Sequence, residues 1–173
     1  MKNLPSLISL EIYGCSMSDI IFKTTPKLKK IKANSVKKIS KMDISSLKNI
    51  KEFWWIWGNL KELQLGENTQ LARLNIHHNQ LNGTLDLTSF IKLSYLSCAY
   101  NELSRITGRD LKSLFHVECQ NNKLEFVDLY NADALGVFNC INNPNVNVYV
   151  PVKGDDYDME YYFDPTATIV ARD

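Results

Sequence analysis

The chain has 173 residues, with 20 Lys and Arg against 19 Asp and Glu, and its formal net charge of +1 gives no overall field that would draw it to nucleic acid or an anionic membrane. Its 45% hydrophobic content, including 10% aromatic residues, is enough for a core and argues against disorder, and the length fits one domain. No run of about 18 apolar residues that could form a membrane-spanning helix occurs, and seven Gly and five Pro leave no Gly-rich ligand loop or Pro-rich linker. In chain order, one apolar motif then recurs. Leu7 opens the first copy, with Leu10, Ile12, Met17, Ile20 and Phe22. Leu28 opens a degenerate second with Ile31, Ala33, Ile39 and Ile44, and Ile50 a third with Phe53, Trp55, Leu60, Leu63 and Leu65. Leu71 leads to Leu74, Ile76, Asn79, Leu81, Leu85 and Leu87; Leu93 to Leu96, Cys98, Asn101, Leu103 and Ile106; Leu114 to Val117, Cys119, Asn122, Leu124, Val127 and Leu129; Leu135 to Phe138, Cys140, Asn143, Val148 and Val150. The seven openings follow one another at 21 or 22 residues, a period that predicts a solenoid.

Within each copy, short runs such as Val117-Glu118-Cys119 and Val127-Asp128-Leu129 alternate apolar and polar residues, which reads as strand. A single coil cannot bury its apolar side, but coils stacked at about 4.8 Å bury it as one continuous core, and seven of them span roughly 30–35 Å. The pattern L-x-x-L-x-[LC]-x-x-N-x-L-x-x-L-D-L resembles the leucine-rich repeat, in particular the short bacterial class of about 21 residues. That resemblance covers residues 4–150 and implies a right-handed superhelix with a parallel concave sheet and short convex strands. Matching is best in the last four copies, because Cys15, Val36 and Gly58 stand where the family has Asn. Residues 1–150 are thus expected as the repeat domain. Residues 151–173, with acidic residues and the cluster Tyr161-Tyr162-Phe163, are expected as a non-repeat cap in which an aromatic side chain covers the last coil. The array begins in mid-coil, so an upstream segment is expected. The start, Met1-Lys2-Asn3-Leu4-Pro5, lacks the apolar stretch of a signal peptide. Repeats of this bacterial class imply a secreted or cell-surface setting.

The four Asn are expected to stack as an internal ladder that satisfies backbone groups at each turn. Cys98, Cys119 and Cys140 share one inward column, where core packing is the favoured reading over a disulfide between coils or a metal site, since a linear column supplies no tetrahedral ligand set. Trp55 falls in the same column beside Ala33, large against small. The outward positions are expected to form the contact surface. They gather Trp54, Ile56, Trp57, Arg73, His77, His78, Tyr95, Tyr100 and His116, with Trp57, His78 and Tyr100 as lateral neighbours in consecutive coils. Exposed aromatic residues beside arginine are typical of binding hot spots. The expected function is non-catalytic recognition of a macromolecule, foremost a protein. A carbohydrate ligand and a targeting or spacer role within a longer protein stay open as alternatives. No phosphate loop, zinc pattern or nucleophile motif appears, so no enzyme activity, metal or cofactor is expected. His77 and His116 are too far apart, at about 10 Å, for one metal. Nucleic acid and membrane insertion are not expected either. Finally, residues 1–51 carry a net +8 and residues 52–173 a net −7. On a solenoid this makes two poles, which permits head-to-tail self-association.

Overall fold

The computed structural model describes residues 4–22, 25–151 and 160–170. Lys2, Lys23 and the acidic Asp155, Asp156 and Asp158 of the expected cap lie outside the described residues. Every regular element among the described residues is a strand: β1 (Ser9–Tyr13), β2 (Lys30–Asn34), β3 (Lys41–Asp43), β4 (Glu52–Ile56), β5 (Glu62–Gln64), β6 (Arg73–Asn75), β7 (Asn82–Asp86), β8 (Tyr95–Ser97), β9 (Glu102–Thr107), β10 (His116–Glu118), β11 (Phe126–Asp128), β12 (Val137–Cys140), β13 (Asn147–Tyr149), β14 (Glu160–Phe163) and β15 (Thr168–Val170). A broad sheet orders eight of them as β1-β2-β4-β6-β8-β10-β12-β14, all parallel. The opposite side carries a five-stranded parallel sheet, β7-β9-β11-β13-β15, and a separate pair, β3-β5. Register follows the sequence period, because Ser9, Lys30, Glu52, Arg73, Tyr95, His116 and Val137 are Cα partners in turn.

Each opening residue forms a turn: the N–H of Leu28, Leu71, Leu93, Leu114 and Leu135 donates to the carbonyl three residues earlier. The turn leads into the strand, whose alternate residues point inward. Ile31, Phe53, Leu74, Leu96, Val117 and Phe138 form one fully buried column, and Ala33, Trp55, Ile76, Cys98, Cys119 and Cys140 the next. All four cysteines are free, and the last three are buried. Burial, more than any neighbouring charge, pushes the Cys98 and Cys119 thiols well above their ordinary value, so both stay protonated.

The asparagine ladder ties each coil to the one before it. Asn122 Nδ2 donates to Cys119 O in its own coil (3.0 Å) and to Cys98 O in the preceding coil (3.1 Å), while its Oδ1 accepts from Leu103 N–H (3.0 Å). Asn79, Asn101 and Asn143 repeat the pattern. A buried amide with two donors and an acceptor is the side chain that can do this. In the C-terminal segment the Thr166 hydroxyl takes over the acceptor role, receiving Asn145 N–H at 2.8 Å. That segment seals the end and also extends the array, since β14 adds to the broad sheet and β15 to the second. Tyr161 and Phe163 pack on Phe138, and Tyr161 Oη lies 3.2 Å from the carbonyls of both Leu135 and Pro151, which share its one proton. Tyr162 is the one of the three that faces outward.

Candidate functional site

Beyond the ends of the first seven strands of the broad sheet, the chain turns through a residue with left-handed backbone. Gly14, Ser35, Trp57, His78, Tyr100, Asn121 and Asn142, all with φ between 54° and 58°, form one column, each immediately before a ladder position. Glycine and asparagine accept that conformation readily and histidine more often than most, whereas a bulky ring such as Trp or Tyr is an outlier there. Three consecutive coils nevertheless carry Trp, His and Tyr. The predicted lateral contact is present: Trp57 stacks on His78 with centroids 3.6 Å apart, and His78 on Tyr100 at 4.2 Å. Trp57 and Tyr100 are each 46% exposed.

His77, two residues past the end of β6, joins this group edge-on to Trp57 and His78, with its Nδ1 2.7 Å from His78 Nδ1. One ring must donate and the other accept, so the pair has room for one proton between them. Burial, followed by the charge of His78 and opposed by Glu118, lowers the His77 pKa, while burial and Lys37 lower that of His78. Among the described residues no three of His, Cys, Asp or Glu converge to hold a metal.

The remaining predicted residues form a second group toward the start of the strands. Trp54 stacks on Tyr95 at 6.5 Å and Tyr95 on His116 at 4.9 Å, with Lys32 Nζ 4.7 Å above Trp54. In register Trp54 is paired with Asn75, so its ring leans across a whole coil to reach Tyr95. Asn75 and the next residue in that row, Ser97, are buried although they point outward. Glu118 organises the far end: Tyr95 Oη donates to it at 3.4 Å, and His116 Nε2 stands 3.3 Å away, at ion-pair distance but off hydrogen-bond geometry. Burial and Glu118 together raise the Tyr95 pKa. Arg73 pairs with Tyr95 in register, and Ile56 is half-buried between the two groups. The expected single patch is therefore two ring stacks on the same outward face, one over the strands and one past their ends.

Trp54, Arg73, Ser94, Tyr95, Phe115 and His116 line a hollow of about 450 Å³. Phe115 and Ser94 were not among the expected residues. Phe115 is 54% exposed, and its ring lies over Gly136, where a Cβ would come within 2.5 Å of it. That glycine, one coil on from an exposed aromatic residue, was the signal to read.

No protein-family model and no curated protein sequence matches the chain. A solved structure does: the functional domain of InlJ from Listeria monocytogenes, described as including a cysteine ladder, superposes with a TM-score of 0.54 at 16% sequence identity. The match covers 91% of this chain and 44% of that one, so the chain spans less than half of the InlJ domain. The fold is a leucine-rich-repeat-like solenoid. With turns of about 21 residues, the leucine-rich-repeat-like chain offers its broad sheet as a long, regular face whose outward residues are set by register alone.

Proposed function

We propose that the chain is a non-catalytic recognition scaffold that binds a protein partner across the outward face of its broad sheet. The observation that carries this reading is the left-handed column. A side chain there costs roughly 1–2 kcal/mol relative to glycine, of which ring stacking returns about 0.5–1.5 kcal/mol per pair. Core packing does not call for Trp57 or Tyr100, which are about half exposed. Backbone strain held at an exposed surface clusters at ligand-contact sites, and a rigid aromatic ladder loses little freedom on binding.

Stacking also favours a protein over a sugar. Sugar rings dock on free aromatic faces, but His78 is covered on both sides by Trp57 and Tyr100, and Tyr95 by Trp54 and His116. These central rings offer mainly their electropositive edges, together with polar N–H and O–H groups, and these suit the carbonyl and carboxylate oxygens of a polypeptide. The cysteine ladder named for InlJ has a parallel in Cys98, Cys119 and Cys140, which this reading takes as core, since buried protonated thiols are neither nucleophiles nor ligands. The setting proposed with it, the exterior of a bacterial cell, rests on the repeat resemblance alone.

A displayed protein library and a glycan array, both probed with the whole chain, test the reading. Protein binders that lose at least about tenfold affinity for a Trp57→Ser or Tyr100→Ser chain support it. Glycan binding that falls with the same variants, without any protein binder, replaces it with the carbohydrate alternative. Binding of neither leaves the spacer role.

A further inference from the structure

One edge of the broad sheet carries charge that no other described residue answers. Backbone hydrogen bonds from coil to coil (Lys51 N–H to Lys29 O, Ala72 N–H to Lys51 O, Ser94 N–H to Ala72 O, Phe115 N–H to Ser94 O) set these five residues in one row where the chain enters the sheet. Lys29 and Lys51 are exposed, and among the described residues neither has a carboxylate within ion-pair distance. Arg73, beside Ala72, is exposed and likewise unpaired. The other described arginines are engaged: Arg109 Nε holds Asp128 at 2.7 Å, and Arg105 lies 4.7 Å over the Phe126 ring. Glu52, the register partner of Arg73, has its carboxylate 4.0 Å from Lys30 instead. Lys29, Lys51 and Arg73 thus lead along the axis into the hollow of about 450 Å³ that Phe115 and Trp54 flank.

We propose that this basic row and hollow bind an acidic segment of the protein partner, with carboxylates on Lys29, Lys51 and Arg73 and an apolar side chain against Phe115 and Trp54. The inference rests on reading the broad sheet as a protein-binding face. The guanidinium of Arg73 matches a carboxylate through two parallel N–H donors. Ser94 Oγ donates to Ala72 O at 3.1 Å, which leaves its lone pairs free for a backbone N–H of the segment. Phe115 supplies the apolar floor without moving, because Gly136 beneath it leaves room for the ring. A nucleic acid fits less well. Bases stack on free ring faces, and here Tyr95 has a ring on each side.

A labelled, acetylated and amidated pentapeptide of three glutamates followed by two phenylalanines, its glutamine counterpart and an oligothymidylate are titrated against the whole chain by fluorescence anisotropy. The inference expects the acidic peptide to bind at least about tenfold tighter than the glutamine form. Arg73→Gln, and separately the joint change of Lys29→Gln and Lys51→Gln, weaken it by a similar factor, and binding fades toward about 0.5 M salt. All three positions are exposed, so the variants keep the fold. Equal binding of the two peptides, or tighter binding of the oligothymidylate, overturns the inference. A library-derived protein binder that responds to Trp57→Ser but not to Arg73→Gln also overturns it while leaving the proposed function standing; one that responds to neither overturns both.

Discussion

The first three coils and the four that follow solve the same problem differently. From Asn79 onward, each coil has an amide that closes its own turn and grips its neighbour through three hydrogen bonds. The earlier coils hold Cys15, Val36 and Gly58 at that position. In the third coil the reason is visible: a Cβ on residue 58 would lie 2.6 Å from Asn79 Oδ1 and 2.9 Å from Trp55 Nε1. The Trp55 indole occupies the space an asparagine would use, and its Nε1 is left without a partner. The first coil is looser still, with Leu10, Cys15, Met17 and Ile20 only partly buried and no second strand among its described residues. Apolar volume therefore substitutes for polar satisfaction, and the aromatic site begins at that junction, with Trp57 beside Gly58.

The sharpest way to break this contrast is Asn122→Ala. It orphans the Leu103 N–H, worth about 1–3 kcal/mol when buried and unsatisfied, and takes one of two amide donors from the Cys98 and Cys119 carbonyls, which keep Asn101 and Asn143, so urea unfolding is expected to register a loss of about 2 kcal/mol or more. Cys15→Ala in the first coil is expected to cost less than about 1 kcal/mol, because that site is part-exposed and makes no ladder bonds. Gly58→Ala comes next, at about 1–3 kcal/mol for overpacking. Its cost is expected to shrink when combined with Trp55→Ile, and a double-mutant cycle without coupling would count against the shared-space account. Trp57→Asn is expected to change stability by less than about 1 kcal/mol, since relief at the left-handed position offsets lost stacking, while affinity for any partner falls about tenfold.

The smallest effect concerns pH. His77 and His78 have folded pKa values below the ordinary 6.5, so the folded state resists protons that the unfolded chain accepts. Their contribution to stability is fully present above pH 6.5 and is lost as the pH falls through the lowered folded values. Thermal melts across that window are expected to show a decline that flattens in a His77→Asn, His78→Asn double variant. Partner affinity, if governed by the same pair, changes below 6.5 and not around it.

Much of this was legible because parallel, in-register coils turn a 21- or 22-residue spacing into a neighbour relation. Trp57, His78 and Tyr100, the cysteine column and the asparagine ladder all follow from that one rule. What spacing does not encode is the lean of a long side chain. Trp54 has Asn75 as its register partner yet meets Tyr95 two coils on, which divided an expected single patch into two stacks. The left-handed column was written in Gly14, Asn121 and Asn142 but obscured by the aromatic residues between them. The C-terminal strands pair by backbone alone: Glu160 follows Val137 after 23 residues without the apolar spelling of the repeat.

The ladder also gives the molecule a mechanical grain. A coil held by strand pairing and apolar contact alone peels under tension more readily than one also tied to its neighbour by two side-chain hydrogen bonds, so a chain stretched between its ends should yield from the first coils and hold longest from Asn79 to Asn143. Each coil released would add roughly 70 Å of contour, at about 3.3–3.6 Å per residue, so the extension trace would rise in steps of increasing force with the aromatic stacks parting between the early and late ones.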